Sequence, residues 1–488
     1  MSQSLPNSPN SALFTDFYEL TMAQGFWKQG KNHPAVFDMF FRKHPFSGGF
    51  SVFAGLGTLL DSLEAFSFSP DDIAYLSTLG VFEPAFLDFL RDFRFSGDLY
   101  AFDEGSVIFP GEPLVRIHAN LIEAQIIEGL VLNHINFQSL IATKTARVFL
   151  ASRKGRIMEF GLRRAQGPNG ALWASRAAFI GGAGSTSNTL AGRVFGIPVS
   201  GTMAHSWVMS FPSELEAFRA YAALYPDATI FLIDTYDTLQ SGIKNAVIAG
   251  GELAARGHNF GVRLDSGDMQ YLSTCVRKLL DEAGFPRAGI TVSNDLSEEI
   301  IETLVSNGAP ITSWGVGTQM VTGGVEAAFS GVYKLASRSA EEGEGEAPVP
   351  VMKFSDNPEK TTNPGIKEVW RLYDRNNAAL ADVLALEGEE ITPGRAEVFF
   401  HPAIDYRQVC INPARAVPLL KKKLSGGRRV EPPLSPGDEI RRARQVMEGQ
   451  LESLDITFKR MLNPHIYKVS ISRALKNLKL GFIEARLR

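Results

Sequence analysis

Short apolar runs that stop at a polar or acidic residue, at near-constant spacing, constrain this chain more than any other feature. Between about residues 157 and 335 they read RIMEFGLRRAQG, GIPVSGTMAHS, TIFLIDTYD, NFGVRLDSGD, GITVSNDLS and ITSWGVGTQ. Taking Gly201, Asp234, Asp265 and Asp295 as strand ends, successive steps are 33, 31 and 30 residues. The stretches between them (KNAVIAGGELAARG, LSTCVRKLLDEAG, LSEEIIETLVSNG) carry apolar residues at helical spacing and end in Gly, as helices often do. Alternating strand and helix at this period predicts a parallel sheet, either open and doubly wound or closed as a barrel. Polar clusters after several strands favour a barrel-like closure, because barrels gather their sites from many strand ends. An open sheet concentrates its site at a switch point.

At 488 residues the chain exceeds a typical domain several-fold, so more than one structural unit is expected. Residues 1–13 read as a disordered tail with no cationic flank or apolar run. Residues 14–135 read as an N-terminal α/β domain, with helical FTDFYELTMAQGFW and LSTLGVFEPAFLDFLRDF and strand-like GDLYAF and PLVRIHA. The barrel is expected over 136–335. An acidic, Pro- and Gly-rich stretch, 336–365, reads as an exposed linker or long loop. Residues 366–488 form a C-terminal region expected to pack back on the rest, with EVWRLYD and EVFFHP as strands and LSPGDEIRRARQVMEGQLESL as an amphipathic helix.

A net charge of −4 lacks the bulk field of a non-specific nucleic-acid or membrane binder. No apolar stretch approaches the roughly 20 residues needed to cross a bilayer. Two cysteines, Cys275 and Cys410, allow at most one bridge, so a reducing, cytoplasmic setting is the simpler expectation.

Several residues at these strand ends could carry chemistry. Asp234, Asp237, Asp265, Asp268 and Asp295 would converge on one barrel rim, where carboxylates suit Mg²⁺ and ribose hydroxyls. Each alone could equally N-cap the next helix. GGAGSTSN (181–188), WGVGTQ (314–319) and the pair Gly323 and Gly324 could bring backbone amides to an anion, or could be tight turns. No P-loop or dinucleotide fingerprint is present. His205 in GTMAHS is an acid, base or phosphoryl-acceptor candidate, or a histidine satisfied by a carbonyl. Arg163 and Arg164 would point to opposite faces of an extended chain, whereas Arg263 would share a face with Asp265. Phe160 and Tyr18 could offer flat aromatic faces, although most such rings are core residues.

The strings FTDFYELTMAQGFW, EFGLRRAQGPNGALWASRAAFIGGAGSTSNTLAGRVFGIPVSGTMAHSWVMSF, LIDTYDT, GVRLDSGD, SNDLSE, WGVGTQ and GVYKL, in this order, resemble the nicotinate phosphoribosyltransferase family. The resemblance implies an irregular (β/α) barrel of the type II phosphoribosyltransferases, combined with an N-terminal α/β domain and a C-terminal extension, in a homodimer. It implies that nicotinate and phosphoribosyl pyrophosphate give nicotinate mononucleotide and pyrophosphate, the first step of NAD salvage from nicotinate, with Mg²⁺ as cofactor and ATP as co-substrate. By the same resemblance His205 is the phosphorylated histidine. Tyr18, lent by one subunit to the other, and Phe160 sandwich the base, and Thr202 and Arg263 contact nicotinate. Arg163 serves a phosphate, Asp234 and Asp265 the ribose and metal, and Gly317 with Thr318 the 5′-phosphate. Asn188 stands where the related nicotinamide enzymes carry an acid, and its neutrality favours nicotinate. The alternatives are a nicotinamide phosphoribosyltransferase, a non-catalytic nicotinate or nucleotide sensor, and an unrelated barrel enzyme such as a Schiff-base aldolase, for which Lys334 is the one near lysine.

Overall fold

The computed structural model describes residues 12–340, 347–357, 360–404 and 406–487. Most of the expected tail and parts of the expected linker (341–346 and 358–359) lie outside the described residues. The chain divides into two compact units. One comprises residues up to Leu140 together with 328–435 and 445–488, and the other comprises 141–327 and 436–444. The C-terminal region therefore belongs largely to the same unit as the N-terminal domain.

The first unit holds two large sheets. Strand Pro34–Phe41, buried along almost its whole length, pairs antiparallel with Gly331–Arg338 on one side and Val115–Asn120 on the other. Gly331–Arg338 in turn pairs with Val349–Pro350, so part of the expected linker is strand. A second sheet contains Lys367–Tyr373 against Ala379–Leu386 and is extended by Glu397–Phe400. Phenylalanine fills this unit's core, with Phe37, Phe41, Phe53, Phe66, Phe86 and Phe102 all buried. The stretch read as one helix from Leu76 onward is two, Pro70–Thr78 and Pro84–Arg91, broken at Gly80 in the left-handed region and restarted by Pro84 at a first helical position.

The second unit is the α/β part. Its six strands are all parallel, in the order Ser185–Thr186, Arg156–Glu159, Ser313–Val316, Gly289–Ser293, Gly261–Leu264, Ile230–Leu232. Ile157, Val262, Leu264, Ile290, Val292 and Val316 are wholly buried, as expected for parallel strands. Helices Ile243–Ala254, Met269–Glu282 and Glu298–Ser306 return the chain between successive strands. The expected α/β class with a curled, barrel-like parallel sheet is what forms.

One expected strand does not form. GIPVSG contributes only an isolated bridge, Val199 to Thr186, and the sheet edge is the two-residue strand Ser185–Thr186 instead. Pro198 has no amide to donate, so a continuous ladder cannot run through it. Among the described residues no helix is long and apolar enough to cross a membrane.

Candidate active site

Three neighbouring strands deliver the core of the polar cluster. Asp234 lies two residues past Ile230–Leu232, Asp265 directly follows Gly261–Leu264, and Ser293 ends Gly289–Ser293. Asp265 is the hub. Its backbone amide donates to Asp234 Oδ2 at 3.0 Å, and the Ser266 hydroxyl donates to the same oxygen at 2.6 Å. The Ser293 hydroxyl donates to Asp265 Oδ1, and Asp265 Oδ2 lies 3.4 Å from Arg263 Nη2 and 3.7 Å from His205 Nε2. Arg263, read as sharing a face with Asp265, also donates to the Thr202 hydroxyl and, at 3.3 Å, to the Met203 carbonyl. The other His205 nitrogen, Nδ1, is 3.1 Å from the Thr235 hydroxyl, which leaves Nε2 facing the acid. Thr202, His205, Asp234, Arg263 and Asp265 thus form one connected group.

The five aspartates do not all converge. Asp237 accepts the amides of Leu239 and Gln240, and Asp268 accepts that of Tyr271, so these two cap helices. Asp295 is exposed, beyond the end of its strand. Two carboxylates remain, and among the described residues no group of three His, Cys, Asp or Glu side chains could hold a metal. The pair still suits Mg²⁺, which binds through one or two carboxylates and takes its other ligands from water and substrate phosphates. Asp234 Oδ1 supports that fit, being buried with no hydrogen-bond partner.

Phe160 reaches the same neighbourhood through Gly315. Its amide donates to the Val316 carbonyl at 2.8 Å, and its ring covers Gly315, where an added Cβ would stand 2.8 Å from two ring carbons and 3.1 Å from Ser293 Cβ. Only hydrogen fits there. Gly315→Ala is expected to cost about 1–3 kcal/mol through displacement of the ring. The check is thermal unfolding; an unchanged Tm would mean that the ring does not occupy this space.

The remaining expected residues are placed differently. Arg163 and Arg164 lie in a 3-10 turn, Leu162–Arg164, and not on an extended chain, and Arg163 is exposed. Gly317 precedes helix Thr318–Thr322, whose first amides have no partner within the helix. GGAGSTSN proves to be a turn serving the fold. The amides of Gly181, Gly182, Ala183 and Gly184 donate to the carbonyls of Ala177, Phe179, Ala178 and Ile157, so no anion cradle is left there. Asn188 is buried and caps helix Thr189–Phe195 through Ala191 N at 3.2 Å, while its Nδ2 donates to the Ala171 carbonyl and the Ser175 hydroxyl, both at 3.3 Å. Tyr18 belongs to the first unit, on helix Phe17–Lys28, with about half its surface exposed. Partial burial and the nearby Glu128 and Glu19 hold its phenol well above the ordinary range, and burial pushes Glu19 itself up to about 7.

Two residues that sequence reasoning passed over help build the site. Ser293 was read only as part of a strand end, and Glu159 was passed over for its neighbours Phe160 and Arg163. The signal available was a lone acid closing an apolar strand, RIME.

Comparison with known proteins identifies the family. Family models described as the nicotinate phosphoribosyltransferase N-terminal domain, the nicotinate phosphoribosyltransferase family and its C-terminal domain match residues 13–136, 156–384 and 366–479. The nicotinate phosphoribosyltransferase of Bacillus subtilis (strain 168) is 40% identical over 463 residues, covering 94% of this chain and 93% of its own. That of Homo sapiens is 33% identical, covering 96% and 95%. The crystal structure of human nicotinic acid phosphoribosyltransferase superposes with a TM-score of 0.83 at 31% identity, over 96% of this chain and 99% of that one. A nicotinate-nucleotide pyrophosphorylase from Pyrococcus furiosus shares the fold, with a TM-score of 0.70 at 20% identity, over 93% and 98%. With matches of this extent over nearly the whole chain, the protein belongs to the nicotinate phosphoribosyltransferase family of enzymes.

Proposed function

We propose that this protein joins nicotinate to 5-phosphoribosyl 1-pyrophosphate, giving nicotinate mononucleotide and pyrophosphate, coupled to ATP hydrolysis through a phosphorylated His205. The observation that carries the reading is the connected group Thr202–Arg263–Asp265–His205, with Asp234 bonded to the Asp265 amide. Arg263 supplies the fixed cation that a pyridine carboxylate needs and an amide does not, which favours nicotinate over nicotinamide. Phe160 offers a flat face for the ring. Displacing pyrophosphate from the anomeric carbon passes through an oxocarbenium-like state, so the protein's work is to hold the ring nitrogen in line and to bind the ribose hydroxyls through Asp234 and Asp265. Mg²⁺ bound with the substrate would neutralise charge on the leaving pyrophosphate. The pyridine nitrogen carries no proton to remove, so His205 suits energy coupling better than general-base work. In this reading the enzyme is a homodimer, and the partner subunit's Tyr18 closes the second face of the base.

The test is an assay of the purified protein with phosphoribosyl pyrophosphate and either nicotinate or nicotinamide, with and without ATP. Nicotinate mononucleotide should form, and ATP should stimulate its formation. His205→Ala is expected to keep slow, ATP-independent synthesis at high substrate while losing nicotinate-dependent ATP hydrolysis and acid-labile phosphate incorporation. Preference for nicotinamide would overturn the substrate assignment. A His205→Ala variant that still incorporated phosphate from ATP would overturn the coupling role.

A further inference from the structure

We propose that Glu159 is a positioning residue for the ring-binding side of this site, acting through Phe160; the proposal rests on the functional reading above. Glu159 ends strand Arg156–Glu159 and is 1% exposed. One carboxylate oxygen accepts the amide of Gly161, two residues on, and so bends the chain from the strand into the turn Leu162–Arg164. The other accepts the Ser175 hydroxyl at 2.8 Å, from helix Gly167–Ile180, and the Thr186 hydroxyl at 2.5 Å, from the edge strand. Phe160 lies between Glu159 and Gly161, whose amide this carboxylate holds, and its ring is packed on the other side against Gly315. One buried side chain thus ties together the turn that carries Phe160 and Arg163, a helix and the sheet edge.

The hydrogen-bond inventory suits an acceptor-only group at this place. Thr186 Oγ1 already accepts the Asn188 amide at 3.0 Å, and Ser175 Oγ accepts from Asn188 Nδ2, so both hydroxyl protons must go elsewhere. Ser175 can share its proton with the Ala171 carbonyl at 3.0 Å, whereas the short acceptor for Thr186 is Glu159, with Ser175 Oγ a longer second one at 3.4 Å. A carboxylate meets all three donors. A glutamine could still take the Gly161 amide but would present its NH₂ where Ser175 and Thr186 now donate, so both hydroxyl protons would have to turn to other acceptors.

The experiment is a double-mutant cycle read in nicotinate KM. Glu159→Ala is expected to raise the nicotinate KM by roughly tenfold or more while the phosphoribosyl pyrophosphate KM moves by less than about threefold, and Glu159→Gln should recover part of the loss. In a Phe160→Ala background the same Glu159 change should add less than about twofold, because residues acting as a unit are not additive. Should Glu159→Ala not fold, Ser175→Ala and Thr186→Val carry the same readout, with about a threefold rise expected from each. Folded variants with an unchanged nicotinate KM, or losses that multiply fully with Phe160→Ala, would overturn the positioning role. Wild-type protein assayed alongside separates the two levels. If it turns over nicotinate and the variants match it, only the role of Glu159 falls; if it makes no nicotinate mononucleotide, the functional reading falls and the positioning role with it.

Discussion

Arg263→Ala is expected to weaken nicotinate far more than phosphoribosyl pyrophosphate. The guanidinium is 13% exposed, is held by the Thr202 hydroxyl and the Met203 carbonyl, and stands 3.4 Å from Asp265. Removing it strips a cation from a site that must take in a carboxylate and leaves Asp265 to repel that carboxylate. Leaving a bound carboxylate without its charged partner in a partly enclosed site costs about 2–5 kcal/mol, a factor of roughly thirty to several thousand in affinity. Arg263→Lys should recover only part, since an ammonium cannot span Thr202, Met203 and Asp265 together. The measurement is steady-state KM for both substrates, supported by equilibrium binding of nicotinate. Equal losses for the two substrates would mean that Arg263 is not the carboxylate ligand, and a gain of nicotinamide over nicotinate in the alanine variant would strengthen the assignment.

The central sheet was readable because its strands are buried on both faces, which leaves continuous apolar runs that the polar helices interrupt at a fixed period. The same regularity explains what misled the reading of the acids. In LIDTYD and RLDSGD the first aspartate closes a strand and the second, three residues later, caps the following helix, so a D-x-x-D pattern that looks like a cluster is one site residue and one cap. GIPVSG looked like a strand by composition, but Pro198 interrupts the ladder, and the true edge, Ser185–Thr186, is too short to show a period. GGAGSTSN looked like a phosphate loop because glycine is compatible with both an anion cradle and a turn, and only its internal hydrogen bonds tell the two apart. Glu159 escaped notice for a similar reason. A single acid at a strand end carries no sequence signal for donors that come from Ser175 and Thr186, 16 and 27 residues away.

In the first unit, Arg371→Ala is expected to remove a large share of the folding stability, whereas Glu112→Gln should be tolerated. Arg371 and Asp382 face each other directly across adjacent antiparallel strands, and both are buried. Arg371 Nε donates to Asp382 Oδ1 at 2.8 Å and Nη2 to Oδ2 at 2.6 Å, while the remaining donors take the Gln450 side chain and the Val107 carbonyl. Tyr467 adds its hydroxyl to Asp382 at 3.0 Å. Leaving Asp382 buried without its cation costs about 3–5 kcal/mol, a large share of the 5–15 kcal/mol that holds a typical domain together. Glu112, also fully buried, accepts the Phe109 amide at 2.9 Å and feels the Arg371 charge only at longer range than Asp382 does. Burial and the adjacent Asp382 carboxylate push its pKa well above the ordinary value, which favours the neutral acid, the form that a glutamine mimics. The sign for pH follows from that direction. A carboxyl whose pKa is raised on folding contributes stability that is complete below its unfolded value of about 4.3 and is lost as pH rises towards the folded value. Wild-type protein should therefore lose stability relative to Glu112→Gln as pH is raised, and the two should converge in acid. Chemical denaturation of the three proteins across pH measures both effects. A stable, folded Arg371→Ala protein, or a Glu112→Gln protein destabilised at every pH, would mean that the charge in this cluster is distributed differently from the arrangement Arg371⁺, Asp382⁻ and neutral Glu112.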